Sequence, residues 1–198
     1  MARRRWKCFA TYNSRGYQKK RSRSHRREFV RGGADPKITR YHVGDPSDRD
    51  WDLTVGLIGL QTARISHLAL EAIRVGINRR LTKSLGRTGF HLHIRTHPHT
   101  TYREHAMMSF AGADRLSSGM RNSFGRPVGR CARVKAGKIL FECSCDLKGL
   151  EAVKESVRVA ADKICIRTQA VVLRAKTPEL MAKAPIPAAS KFAITSKY

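Results

Sequence analysis

One stretch of the chain alternates apolar and polar residues with the period of a β-strand. Residues 89–97 carry bulky apolar side chains at every second position, with imidazole or basic side chains between them. Successive side chains of a strand point to opposite faces, so the stretch is predicted to be a half-buried strand with one polar face. Its apolar positions are Phe90, Leu92 and Ile94, and its polar positions are His91, His93 and Arg95.

Two longer segments repeat apolar residues at helical spacing. Residues 61–81 predict a long helix and residues 149–164 predict a second one, because side chains three or four positions apart lie on one helical face. The apolar face of the first helix is predicted to contain Ile65, Leu68, Ala69, Ala72, Ile73 and Gly76, and that of the second Leu150, Val153, Val157, Ala160 and Ile164.

Further strands are predicted at residues 37–43, 53–60 and 165–173. A β-hairpin is predicted where residues 131–134 and 139–145 flank a short turn that contains glycine. The order of strands and helices along the chain indicates the α+β class. We therefore expect a two-layer sandwich of two helices on a mainly antiparallel sheet.

The composition divides the chain into three parts. Residues 1–34 form a basic arm, residues 35–174 hold the predicted α+β domain, and residues 175–198 form a tail rich in Lys, Ala and Pro. The arm and the tail contain too little apolar surface to fold alone. Inside the domain, residues 98–130 form a long connection rich in Gly and Arg. Connections of this length in compact domains are usually functional or disordered.

The charge of the chain predicts a polyanionic partner. The 198 residues include 40 Lys and Arg against 15 Asp and Glu, which gives a formal net charge of +25. So large an excess repels itself unless a polyanion neutralises it, and nucleic acid is the commonest such partner. No apolar run approaches the roughly 18 residues that a transmembrane helix needs, so no membrane partner is expected.

The basic arm concentrates this charge. Residues 1–31 contain twelve Lys or Arg and a single acid, Glu28, with aromatic residues interleaved. Basic side chains contact phosphates and aromatic faces stack on exposed bases, so the arm is predicted to bind RNA. A solvated tail or a nuclear import signal is the alternative. The predicted contacts are Arg3, Arg4, Arg5, Trp6, Lys7, Arg15, Lys19, Lys20, Arg21, Arg23, Arg26 and Arg27.

The long connection carries a second set of candidate residues. Glycine permits close backbone approach to phosphates, and arginine makes forked contacts to them. The spacing of Leu116, Met120 and Phe124 predicts a short helix, with Asp114 as its N-cap. The apolar residues 107–112 could insert into RNA or pack on the domain, and both interpretations stay open. The predicted phosphate contacts here are Arg121, Arg126 and Arg130.

Histidines on the predicted strand allow three interpretations. His91 and His93 share its polar face and could hold zinc, act as acid and base on RNA, or contact RNA directly. Because no closed set of four ligands is visible, no metal is expected, and His91, His93 and Arg95 are predicted to contact RNA. The Asp-rich stretch at residues 45–52 lacks the spacing of a calcium loop and is expected to be an exposed loop.

Other chemistry is not indicated by the sequence. The five cysteines are an odd number and are expected to be reduced thiols. Without a phosphate-binding loop, a dinucleotide motif or a nucleophile–histidine–acid order, no cofactor and no small-molecule substrate are expected.

The long connection also carries a family resemblance. Residues 110–129 (FAGADRLSSGMRNSFGRPVG) resemble the signature of a universal large-subunit ribosomal protein family, numbered sixteen in bacteria and ten-e in archaea and eukaryotes. Other segments agree with the family in order, and the similarity runs from residue 1 to about residue 173. The run at residues 109–116 looks closer to the eukaryotic branch, ribosomal protein ten. The agreeing segments are residues 1–5, 31–38, 67–74 and 89–98.

The resemblance implies a structural role in the large subunit of cytoplasmic ribosomes and no catalysis. Members of this family lie at the base of the central protuberance, in a ribosomal-RNA cleft beside the A-site and P-site transfer RNAs, and contact neighbouring ribosomal proteins. In eukaryotes they join late, in the cytoplasm, with assembly factors. Arg103 corresponds to the arginine that braces the family's extended loop. The loop residues directed toward the peptidyl-transferase centre would be Met107, Met108, Ser109, Phe110, Ala111, Gly112, Ala113, Asp114, Arg115, Leu116 and Ser117.

The chain departs from the family pattern in three places. Residues 105–106 are His and Ala where the eukaryotic members usually have Asn and Lys, residues 13–27 include additions to the arm, and the C-terminal tail differs. Two other classes of function stay open on the residues alone. One is a histidine-dependent or metal-dependent RNA-processing enzyme, and the other is a free RNA-binding or DNA-binding protein.

Overall fold

The computed structural model describes residue 30 and residues 34–47, 49–105 and 119–177. The predicted α+β class is confirmed, with two helices and strands that pair antiparallel throughout the described ranges. The strands are β1 (His42–Gly44), β2 (Leu53–Gly59), β3 (Ala63–Ser66), β4 (Phe90–Ile94), β5 (Thr100–Glu104), β6 (Arg126–Val134), β7 (Ile139–Cys145) and β8 (Thr168–Ala175), and the helices are α1 (His67–Leu85) and α2 (Leu150–Ala161).

The strands divide between two sheets. The larger sheet has the order β1-β4-β7-β2-β8, and the smaller has the order β3-β6-β5. Helix α2 packs against β2, β7 and β8, whereas α1 contacts β3, β4 and β6 and also packs on α2. One continuous core results, because the apolar sides of both helices and of the central strands are removed from water together.

The alternation seen in the sequence is confirmed in β4. Phe90, Leu92 and Ile94 are essentially inaccessible to solvent, and the residues between them are half-buried on the other face. Helix α2 also matches its prediction, with Leu150, Val153, Val157 and Ala160 buried. The helix ends earlier than predicted, at Ala161.

The first predicted helix was wrong at its start and in its buried face. Residues Ala63–Ser66 pair with β6 as a strand, and α1 begins at His67. The Ser66 hydroxyl accepts a hydrogen bond from the Ala69 N–H at 3.2 Å and so caps the helix. Ala72, predicted to be inward, is exposed. The buried residues of α1 are His67, Leu70, Ile73, Ile77 and Leu81.

The predicted hairpin between residues 131 and 145 was also wrong. Its two strands, β6 and β7, belong to different sheets. The turn itself exists, since Gly137 has a φ of 79° and its N–H donates to the Gly59 carbonyl at 2.8 Å. Local turn chemistry therefore predicted the reversal of the chain, but it could not predict that each strand pairs elsewhere.

A different hairpin occupies much of the predicted long loop. Strands β5 and β6 pair across residues 100–131, so the connection between them is residues 105–125. The prediction of a short helix around Met120 and Phe124 was wrong for the described part. Residues 119–122 form turns there, and Gly119 and Asn122 have φ values of 59° and 55°. The Met120 and Phe124 side chains are 67% and 65% exposed, so neither packs in the core.

Boundaries shifted at two other strands. The first strand is His42–Gly44 instead of residues 37–43, and the last is Thr168–Ala175 instead of residues 165–173. The strand predicted at residues 53–60 is confirmed as β2, Leu53–Gly59.

In the Asp-rich stretch, the Asp45 carboxylate accepts hydrogen bonds from the N–H and hydroxyl of Ser47 at 3.0 and 2.7 Å. This arrangement is a turn closed by an aspartate, as expected for an exposed loop.

Candidate nucleic-acid interface

Three histidines form a stack on the polar face of β4. The pairing of β1 with β4 places His42 opposite His93. Their imidazole rings have centroids 4.0 Å apart and planes inclined by 18°. On the other side, Nδ1 of His42 lies 3.2 Å from Nε2 of His91, within hydrogen-bond distance. We call His42, His91 and His93 the histidine stack; its His42 member is exposed.

The charge of the histidine stack is controlled by its surroundings. Burial lowers the pKa of His93, and the nearby His42 lowers it further, while the Glu142 carboxylate opposes the shift. Nδ1 of His93 lies 3.2 Å from Glu142, which also accepts two hydrogen bonds from Arg95 Nη1 at 3.0 and 3.1 Å. His93 is therefore neutral near pH 7, and Arg95, whose side chain is 46% exposed, forms an ion pair with Glu142.

Tyr41 and His97 form a second aromatic contact, next to β1 and β4. Their ring centroids are 4.2 Å apart. Burial lowers the pKa of His97, with a smaller effect from the Lys138 charge. Burial raises the pKa of Tyr41, and the positive charge of Arg130 on β6 opposes this.

The hairpin of β5 and β6 positions the predicted functional loop. Arg103 Nη1 donates a hydrogen bond to the Gly125 carbonyl at 3.1 Å, and the guanidinium lies 4.6 Å from the centroid of the Phe124 ring. Both contacts lie at the loop end of the hairpin, where the connection of residues 105–125 leaves β5 and enters β6. Arg103 thus fixes the two ends of the loop relative to each other.

The three arginines predicted to contact phosphates in this region lie in different environments. Arg121 and Arg126 are exposed. The Arg130 side chain is only 13% exposed, and its Nη2 donates to the Asp35 carboxylate at 2.6 Å. Because Asp35 already neutralises Arg130, the exposed Arg126 is better placed for an external phosphate.

Several candidate residues lie outside the described residues. These are the twelve contacts predicted in the arm, from Arg3 to Arg27, and the loop positions 107–117, including Arg115. In the described ranges, no group of three or more His, Cys, Asp or Glu is arranged to hold a metal ion. Nor does any helix there combine the length and apolar character required to cross a membrane.

The structure brings together residues that the sequence left apart. His91, His93 and Arg95 lie on one face, as their alternation predicted, but their partners His42 and Glu142 were not candidates. Only the register of β1 and β7 against β4 brings these partners together, and no local pattern contains that register.

The sequence of this chain is similar to those of known proteins. The fold and composition define a strongly basic α+β protein with a projecting hairpin. The family model of ribosomal protein L16p/L10e matches residues 17–171. The chain therefore belongs to the L16p/L10e family of ribosomal proteins.

Three archaeal relatives illustrate the similarity, and each is named large ribosomal subunit protein uL16. The protein of Staphylothermus marinus is 42% identical over 139 residues, which cover 70% of this chain and 79% of the relative. That of Metallosphaera sedula is 37% identical over 172 residues, covering 86% and 94%. That of Saccharolobus islandicus is 38% identical over 169 residues, covering 84% and 90%. Because all three relatives are archaeal, the expected likeness to the eukaryotic branch stays a prediction.

Proposed function

We propose that this protein is a structural subunit of the large ribosomal subunit and binds ribosomal RNA in cytoplasmic ribosomes. The observation that carries the proposal is the match to the ribosomal L16p/L10e family over residues 17–171. The net charge of +25 supports it, because phosphates supply the counter-charge that the protein lacks internally. Neighbouring large-subunit proteins would complete its surroundings.

Two described surfaces and one further segment would make the RNA contacts. The histidine stack offers imidazole faces for stacking, and Arg95 beside it would contact a phosphate through the guanidinium nitrogens that Glu142 does not engage. The exposed Arg121 and Arg126 flank the end of the hairpin. The basic arm at residues 1–34 would add the largest number of phosphate contacts. Affinity would then come mainly from the RNA backbone, with base reading secondary.

The loop at the end of the hairpin is proposed to approach the peptidyl-transferase centre. Its support is the β5–β6 hairpin, whose strands end at Glu104 and begin again at Arg126 and are joined at this end by the contact of Arg103 with Gly125. Residues 107–117 would lie near the A-site and P-site transfer RNAs, with the whole protein at the base of the central protuberance. The peptide bond would be formed by RNA, and the protein would shape the cleft.

Late entry into the subunit is part of the proposal. A eukaryotic-type member would join in the cytoplasm, with assembly factors released as it enters. The self-repulsion of a protein of this charge is relieved when folded RNA is already present to neutralise it. Supporting evidence would be its absence from early precursor particles.

Gradient sedimentation of a cell lysate tests this function. We expect the protein to migrate with free large subunits and whole ribosomes, to leave them after ribonuclease digestion, and to stay bound at moderate salt. Loosely bound basic proteins dissociate steeply as salt rises, so salt resistance separates an integral subunit from a passenger. Recovery at the top of the gradient would contradict the proposal, and RNA cleavage lost in His93→Ala would indicate an enzyme.

A further inference from the structure

A groove of about 680 Å³ lies between the two helices, away from the histidine stack and the hairpin. Gly76 faces Lys163 in it, and Arg80 faces Glu155, so α1 and α2 run in opposite directions along the groove. On α1 its lining residues are three or four positions apart and form one helical face. We call this the helix groove, and its α1 residues are Gly76, Arg79, Arg80, Lys83 and Ser84.

The helix groove is strongly cationic. Arg79, Arg80, Lys83 and Lys163 line it, with Glu155 as its single acid. Glu155 is already engaged by Arg80 at 2.5 Å. Among the described residues, no acid pairs with the other three bases, and all three are exposed. Three uncompensated positive charges therefore converge on one concave surface.

The floor of the helix groove holds a polar group without a partner. Ser156 on α2 lines the groove and is only 1% exposed. Its hydroxyl makes no hydrogen bond to any part of the chain that the structure describes. A buried hydroxyl without a partner costs free energy, and a ligand oxygen that accepts its hydrogen bond would remove that cost.

A second groove on the opposite side of α2 shows that this charge is local. That groove, of about 580 Å³, has an apolar lining that includes Leu57 and Val157. Its charged residues balance, with two acids against two bases. The positive charge of the helix groove is therefore a feature of one side of α2. The balancing residues are Glu151, Glu155, Lys154 and Arg158.

We propose that the helix groove binds the phosphodiester backbone of RNA. Arg79, Lys83 and Lys163 would contact phosphate oxygens, and the Ser156 hydroxyl would donate to one of them. From Gly76 to Ser84 the groove follows about 12 Å of helix, enough for consecutive phosphates of one strand. The inference rests on the proposed RNA-binding function, and it adds a helical face to the arm, the histidine stack and the hairpin.

RNA is favoured over an acidic protein segment by the kind of donors present. Arginine and a serine hydroxyl suit tetrahedral phosphate oxygens, and the lysines add compact charge beside them. The groove offers little apolar lining for the side chains of a peptide, since Ala152 and Val159 are its main apolar residues.

The decisive experiment compares two full-length charge variants. The groove variant carries Arg79→Gln, Lys83→Gln and Lys163→Gln, and the control carries Lys148→Gln, Lys154→Gln and Arg158→Gln. Dissociation constants for purified large-subunit RNA are measured over a range of salt concentrations. We expect the dependence of log Kd on log salt to fall by about three units in the groove variant and by less than one in the control. Equal losses in both variants would overturn the proposal.

Ser156→Ala provides a second test that does not change charge. Loss of an unpartnered buried hydroxyl leaves the melting temperature unchanged or higher. We expect RNA binding nevertheless to weaken by roughly tenfold to a hundredfold, as for one lost hydrogen bond to a charged acceptor. Unchanged RNA affinity would exclude the hydroxyl as a contact and contradict this part of the site.

Two further readouts separate the possible failures. Polyglutamate is tested as an acidic-protein probe, and selective loss of its binding in the groove variant, with RNA binding intact, would overturn the proposal in favour of a protein partner. If the wild-type protein sediments with subunits but both variants bind RNA alike, the helix groove fails while the ribosomal function stands. If the wild-type protein never sediments with subunits, the ribosomal function fails first.

Discussion

At the loop end of the β5–β6 hairpin, Arg103 donates a 3.1 Å hydrogen bond to the carbonyl oxygen of Gly125. The same guanidinium covers the Phe124 ring. This relationship couples the last residues of β5 to the first residues before β6, where the connecting loop leaves and returns. The position of the loop therefore depends on one side chain that is peripheral to the core.

We predict that Arg103→Ala loosens the loop more than it destabilises the domain. Losing one hydrogen bond and one cation–π contact should lower the free energy of unfolding by about 1 kcal/mol. Amide exchange at residues 119–126 should accelerate well beyond that of β7, and translation should slow. Arg87→Ala, at an exposed position after α1, is the matched control. Early melting with normal translation would assign Arg103 to the fold instead.

Replacing glycine by alanine should have opposite effects on stability in the hairpin and in α1. A Cβ at Gly125 would lie 2.5 Å from the backbone carbon of Glu104, so Gly125→Ala should separate the strands and destabilise the protein by about 1–3 kcal/mol. At Gly76, in the middle of α1, the nearest atom would be Lys163 Cε at 3.4 Å. Gly76→Ala should therefore stabilise the protein by about 0.5–1 kcal/mol. Thermal melting of both variants gives the comparison, and a stable Gly125→Ala protein would refute the close approach.

The corrected register of α1 also makes a direct prediction. Leu81 is fully buried, so Leu81→Ala should cost about 2–5 kcal/mol. Ala72 is exposed, so Ala72→Ser should change stability by less than about 0.5 kcal/mol. Denaturant unfolding measures both. A large loss from Ala72→Ser would restore the helical face that the apolar spacing first indicated.

The pH dependence of the free protein should report the histidine stack. Because the folded pKa of His93 lies below its ordinary value of 6.5, its neutral form is favoured by folding. Its stabilising contribution is complete above pH 6.5 and is lost as pH falls through the folded pKa. Unfolding of His93→Gln should depend less on pH in this window. An equally steep dependence in that variant would exclude His93 as the source.

A second measurement isolates the role of Glu142. Its carboxylate opposes the downward shift of the His93 pKa, so Glu142→Gln should lower that pKa further. Titration of the imidazole resonances by NMR reads the change directly. An upward shift would contradict the stabilisation of the protonated imidazole by Glu142.

The sequence predicted those elements whose evidence is local. Alternation at residues 89–97 gave both the strand and its polar face, because a side chain's face depends only on its position in the strand. The spacing of Val153, Val157 and Ala160 likewise gave α2. Each pattern shows which face is buried, but it does not show which element covers that face.

The errors arose where the partner decides the structure. Residues 63–66 continue the apolar spacing of α1, yet pairing with β6 makes them a strand. The turn around Gly137 is typical of a hairpin, yet β6 already has β3 and β5 as neighbours. His42 entered the candidate site through its register with His93, a relation between residues 51 positions apart. Such long-range pairings override local preference.

Strand β6 gives the loop a mechanical connection to the helices. Its residues from Cys131 onward pair with β3, whereas those from Arg126 to Arg130 pair only with β5. The outer part is therefore a cantilever of about 17 Å, anchored at Cys131. A rotation of roughly 3° at that anchor would displace the loop base by about 1 Å. Strand β3 continues directly into α1. A displacement of the helix would therefore move the loop end of the hairpin, and a displacement of the loop end would be transmitted to α1.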